Sequence, residues 1–173
     1  ATPFQSPFSS SAASRSRFGS LTPFMLFSNV VNVPSGMRLI NSWAAFGLRG
    51  EAFLEYATWV RGRVLDLGSA GYDPTLHFDL YGMAGLAFPE AMALVDFLGR
   101  VEAQCAPFKV NIETPVLADS RDGQIDQMAR TRSELRRSGI SVGLVADEWC
   151  NDLADVEQFV RYQACDMIQI KMA

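Results

Sequence analysis

Histidine occurs once in this chain, at His77, and lysine only twice, at Lys109 and Lys171. Its three cysteines (Cys105, Cys150 and Cys165) are too few and too far apart for a CxxC metal knuckle or a disulfide framework. In a chain of 173 residues they read as reduced thiols in a cytoplasm-like compartment. Acid is missing from the first fifty residues, which hold only Arg15, Arg17, Arg38 and Arg49 as charges. The net charge of −4 excludes the basic footprint that a nucleic-acid partner would require. No apolar run approaches the roughly 18 residues of a membrane span. The segment 20–33, following two arginines, has a faint signal-peptide look, but Pro23, Ser28, Asn29 and Asn32 interrupt it. An Arg- and Ser-rich start without acid would also suit a transit peptide; an irregular N-terminus is the expected reading.

What is present is a globular composition, 49% apolar and 20% charged, with length for one domain and a sizeable core. Residues 1–26 are rich in Ser, Pro and Phe without a period and are expected to be irregular, with a barrel-like unit over 27–173. A strand is expected at 27–33, ended by Pro34, Ser35 and Gly36; 37–46 is apolar but of undecided type. Helical spacing over 51–67 is followed by a strand at 75–80. A helix over 89–103, with Pro89 in its first turn, leads to a strand at 108–113. A charged helix over 120–138, closed by Gly139, precedes a strand at 140–147; a helix over 151–163 precedes the last strand, 166–171. Alternation of this kind builds a parallel sheet. About five βα units fit, so the expected fold is α/β, part of a (β/α)8 barrel, which needs about 250 residues when whole. An open doubly wound sheet is the alternative, although no Gly-rich phosphate turn follows a strand.

Four of these strands end in charge. Asp79, Glu113 and Asp147 are spaced by 34 residues each, and Lys171 follows 24 later. Because side chains alternate along a strand, Asp79 shares a face with His77, Glu113 with Asn111, and Lys171 with Gln169, while Leu76, Phe78, Val110, Ile112, Ile168 and Ile170 point oppositely. Asp147, on a face with Val145 and Gly143, is set in a more apolar layer. The polar set therefore gathers at the C-terminal ends of the strands, where barrel active sites lie. Three carboxylates without clustered thiols or imidazoles suit a hard cation, Mg2+ first. A lysine partly desolvated beside such a cation loses proton affinity and can serve as a base. His77 is read as a packed histidine beside Asp79 rather than as a ligand or acid. Trp149 and Cys150 are read as loop fillers.

The runs LHFDLYG (76–82), NIETP (111–115), VADEWCN (145–151) and DMIQIK (166–171) closely resemble those of methylaspartate ammonia-lyase, a family of the enolase superfamily. The resemblance covers about residues 30–171. It implies a (β/α)8 barrel enzyme that eliminates ammonia from threo-3-methylaspartate to give mesaconate, in glutamate catabolism, using Mg2+ with K+ as monovalent activator. It further implies metal ligation by Asp79, Glu113 and Asp147, substrate binding by Gln169 and proton abstraction by Lys171. A small-molecule amino-acid substrate, a cytoplasmic location and a homodimer as candidate assembly complete that expectation, with neither membrane nor nucleic acid as partner.

The chain also departs from the family. Where relatives carry a histidine before an ALIN-like run, this sequence has Met37, which cannot transfer a proton. The N-terminal capping domain and the barrel strands beyond the QIK run are not matched, so the expected fold is a truncated barrel of that superfamily. Two other readings therefore stand beside the lyase: a catalytically silent remnant, and another proton-abstracting enzyme of the superfamily such as a racemase or cycloisomerase.

Overall fold

Along each central strand one parity of residues is apolar and the other polar, and the sheet sorts the two onto opposite faces. The computed structural model describes residues 32–33, 36–39 and 50–170. The expected irregular segment 1–26 and Lys171 lie outside them, as does most of the expected 27–33 strand. The elements run β1 (Asn32–Val33), β2 (Gly36–Leu39), α1 (Gly50–Leu67), β3 (Thr75–Asp79), α2 (Met83–Ala87), α3 (Ala91–Cys105), β4 (Lys109–Glu113), α4 (Arg121–Arg137), β5 (Gly143–Ala146), α5 (Leu153–Arg161) and β6 (Met167–Ile168). The strands form one sheet in sequence order; β1 is antiparallel to β2, and β2 through β6 are parallel.

Sequential order with no reversal is the winding of a barrel segment, and it rules out the doubly wound sheet, whose order must reverse at a switch point. Leu76, Phe78, Val110, Ile112, Leu144 and Ala146 form one cluster with Phe53 and Ala57 of α1, Leu94, Phe97 and Leu98 of α3, Met128 and Leu135 of α4, and Phe159 of α5. Phe53 is central to it, meeting Phe78 edge-on at 5.4 Å and Phe97 at 6.1 Å between ring centroids. The opposite parity (His77, Asp79, Asn111, Glu113, Gly143, Val145) faces away from that cluster. Val145 is buried yet outside the cluster, as the more apolar layer under Asp147 requires.

The element boundaries shift for local reasons. The helix expected from Pro89 starts at Ala91, because Glu90 takes an extended backbone as its N-cap and leaves Pro89 outside the first turn. The strand expected from Ile140 starts at Gly143. The Ile140 N–H bonds the Leu135 carbonyl, and the carbonyls of Ile140 and Val142 accept from Arg136, so 140–142 pair with α4 instead of the sheet. The short α2 was not foreseen from the pattern; Gly82, at φ 75°, turns the chain into it directly after β3. Ser120 caps α4 by accepting from the Gly123 N–H, and Asp152 caps α5 in the same way from Asp155.

At the opposite end of the sheet from the strands' charged ends, Asp166 ties its own segment to α4 and β5. Its carboxylate accepts from Arg132 at 2.8 Å, Arg136 at 2.8 Å and the Leu144 N–H at 2.9 Å, and its own N–H donates to the Leu144 carbonyl. Burial pushes the Asp166 carboxyl up, but the Leu144 amide and the two guanidinium groups pull harder, leaving it below the usual carboxylate range. All three cysteines are free. Among the described residues no helix is long and apolar enough to cross a membrane.

Two outcomes follow. Phe78→Ala removes a wholly buried ring at the centre of the cluster and should cost about 3–5 kcal/mol in urea denaturation. Asp166→Asn should destabilise most near neutral pH. Because the folded-state pKa is depressed, the stabilisation by the carboxylate is complete above the unfolded value of about 3.9 and is lost as the pH falls from there through the lower folded value. The gap between the two proteins should close over that window.

Candidate metal and active site

Parallel pairing without slip puts Asp79 directly opposite Glu113, and His77 opposite Asn111. The next pair sets Glu113 opposite Val145, two residues before Asp147. Val145 in turn faces Met167, and the Gln169 N–H donates to the Ala146 carbonyl at 2.8 Å, so Gln169 reaches the same rim beside Asp147. Register thus carries Asp79, Glu113, Asp147 and Gln169 to the C-terminal ends of adjacent strands. Lys109 opens β4 at the far end and is exposed.

Burial pushes the Asp79 carboxyl up to about 6, and the negative charges of Glu113 and Asp147 add to the rise. The Tyr81 N–H, donating to Oδ1 at 3.0 Å, and His77 pull the other way without cancelling it. Glu113 is only 2% exposed, and its Oε2 lies 2.7 Å from His77 Nε2. His77 therefore partners Glu113 on the next strand rather than Asp79 on its own. A rim with this surplus of negative charge fits a hard cation through oxygen donors. Among the described residues no three His, Cys, Asp or Glu side chains close around a common point as they stand. Backbone register brings the carboxylates to one edge, while His77 and the Tyr81 amide hold two of them.

Each acid is followed within two residues by a left-handed residue: Tyr81 (φ 45°) after Asp79, Thr114 (φ 44°) after Glu113, and Trp149 (φ 62°) after Asp147. Such conformations are costly for residues other than glycine and persist where surrounding contacts enforce them. The enforcing contacts converge on the loop 114–118. The Thr114 carbonyl accepts from the Gly82 N–H at 2.7 Å, and the Pro115 carbonyl from the Gly85 N–H at 2.9 Å. The Ala118 carbonyl accepts from Trp149 Nε1 at 3.0 Å, so Trp149 is a tie between two loops rather than a filler. Thr114 is itself 1% exposed, and its hydroxyl oxygen has no hydrogen-bond partner among the described residues. The left-handed turn at Thr114 carries no sequence signal, because threonine gives no warning of positive φ.

Residues 24–173 match the family described as methylaspartate ammonia-lyase C-terminus. The chain is 37% identical over 150 residues to methylaspartate ammonia-lyase of Haloarcula marismortui, covering 85% of this chain and 35% of the relative. It is 39% identical over 127 residues to the enzyme of Clostridium tetanomorphum, covering 72% and 31%. Among solved structures, beta-methylaspartase from Clostridium tetanomorphum in its Mg complex superposes with a TM-score of 0.72 at 38% identity, covering 76% of this chain and 32% of that one. The Citrobacter amalonaticus methylaspartate ammonia lyase containing (2S,3S)-3-methylaspartic acid gives 0.71 at 35%, covering 78% and 33%. The chain spans about a third of the length of the curated relatives it matches.

Gly82 is where the loops after β3 and β4 press closest: a Cβ there would lie 2.4 Å from Leu117 Cβ, at a left-handed φ. Gly82→Ala should therefore destabilise the fold by about 1–3 kcal/mol, read by urea denaturation.

Proposed function

The chain belongs to the methylaspartate ammonia-lyase family, and on that premise we propose that its rim of Asp79, Glu113 and Asp147 serves a carbon–nitrogen lyase that eliminates ammonia from threo-3-methylaspartate to give mesaconate. The observation that carries this reading is the pairing of Asp79 with Glu113 across β3 and β4, with the charges of Glu113 and Asp147 both acting on Asp79.

In this reading the three carboxylates hold Mg2+, and K+ is the monovalent activator. Bound there, Mg2+ supplies fixed positive charge against a substrate carboxylate, offsetting the charge that builds as the neighbouring C–H ionises. His77, on Glu113 Oε2, orients that carboxylate. Gln169 binds the substrate carboxylate from the next strand. Lys171, two residues beyond Gln169 in the sequence, takes the proton from the carbon bearing the methyl group. The electron pair of that C–H bond becomes the second bond of the alkene, and the adjacent C–N bond breaks with its pair leaving on nitrogen as ammonia. Lys109, the other lysine, is at the wrong end of the sheet for this role. Residues 27–173 act as one catalytic unit, cytoplasmic and homodimeric. In sequence Met37 stands where relatives carry a histidine, and a thioether cannot transfer a proton.

The test is direct. Ultraviolet absorbance of the conjugated product should rise when the protein meets threo-3-methylaspartate with Mg2+ and K+, and EDTA should abolish the rise. Lys171→Ala should lower kcat by about 10²–10⁴-fold. A folded sample that binds no Mg2+ and forms no product would overturn the reading. Deuterium exchange at the substrate without ammonia release would replace it with a racemase-type chemistry.

A further inference from the structure

Gln124 is wholly buried on the core-facing side of α4, between Val116 and Ala118 on one side and the apolar residues Ile125 and Met128 of its own helix. A primary amide is costly in such surroundings unless its oxygen and nitrogen are both used. Here both are. Nε2 donates to the Val116 carbonyl at 2.8 Å, and Oε1 accepts from the Ala118 N–H at 2.8 Å. The carboxamide thus spans the turn of the 114–118 loop as a second strand would, from a helix whose first turn is fixed by the Ser120 cap.

That loop is the junction of the rim. It begins one residue after Glu113, and the Thr114 N–H donates to Val145 on β5. Through the Thr114 and Pro115 carbonyls it holds the loop after Asp79, and through the Ala118 carbonyl it holds Trp149, two residues after Asp147. Two loops and strand β5 therefore lean on one segment, and that segment has a single buried side chain clasping it at two points. We propose that Gln124 is a positioning residue: its carboxamide fixes the 114–118 loop and, through it, the placement of Glu113 and Asp147. The link to metal binding rests on the reading of this rim as a Mg2+ site.

Gln124→Met keeps the length and burial of the side chain but removes both hydrogen bonds. Leu135→Ala, roughly three turns further along the same helix and equally buried, serves as the control for loss of stability alone. Amide hydrogen exchange should accelerate at least tenfold in Q124M both at 114–118 and at 147–151. Calorimetric titration with MgCl2 should show affinity at least fivefold weaker. L135A should lower Tm by as much or more, yet leave both readouts within twofold of the parent. If exchange at 147–151 is unchanged in Q124M, or if L135A moves the same readouts equally, the proposal is overturned. A parent protein that binds no Mg2+ would sink the metal reading alone, and the exchange comparison would still decide the role of Gln124.

Discussion

The structure depends on strands β3 and β4 pairing without slip. With Asp79 opposite Glu113, both acids fall on the face that the helices do not cover, and the residues just before them, Phe78 and Ile112, fall on the face that they do. A shift of one residue in either strand would drive a carboxylate into the aromatic layer around Phe53 and expel a fully buried side chain. The cost of burying an unpaired charge makes that alternative far worse than the native register. The same constraint that builds the core therefore also gathers negative charge at one rim.

Gathered charge is itself a burden, visible in Asp79, whose carboxyl is held well above its ordinary range by burial and by two neighbouring acids. The fold tolerates it through local donors, His77 to Glu113 and the Tyr81 amide to Asp79, and left-handed residues bend the chain away within two residues of each acid. The two ends of the sheet divide the work. At the N-terminal end, Asp166 is satisfied in full by two arginines and a backbone amide, which makes it a fastening. At the C-terminal end the acids raise one another's proton affinity, a surplus of negative charge that suits a hard cation.

The positions of Asp79, Glu113 and Asp147 along the chain were legible because each closes a short apolar run, and alternation within a strand is a rigid rule. The helices over α1 and α4 were legible too, from apolar spacing in one and from Ser120 and Gly139 as boundaries in the other. Pro89 misled by two residues, since a proline before a helix suits the N-terminal flank as well as the first turn. Residues 140–142 read as strand because they are apolar, but Arg136 claims their carbonyls for α4.

The sequence by itself therefore determined the fold class, the order of the strands, the family and the face on which each acid stands, because these follow from periodicity and motif spacing along one stretch of chain. Only the tertiary structure decided that His77 serves Glu113, that Trp149 ties one loop to another, and that Gln124 clasps the loop on which both depend. Those choices are made between segments tens of residues apart. They turn on which buried donor meets which buried acceptor once the layers are packed, and no local pattern encodes that.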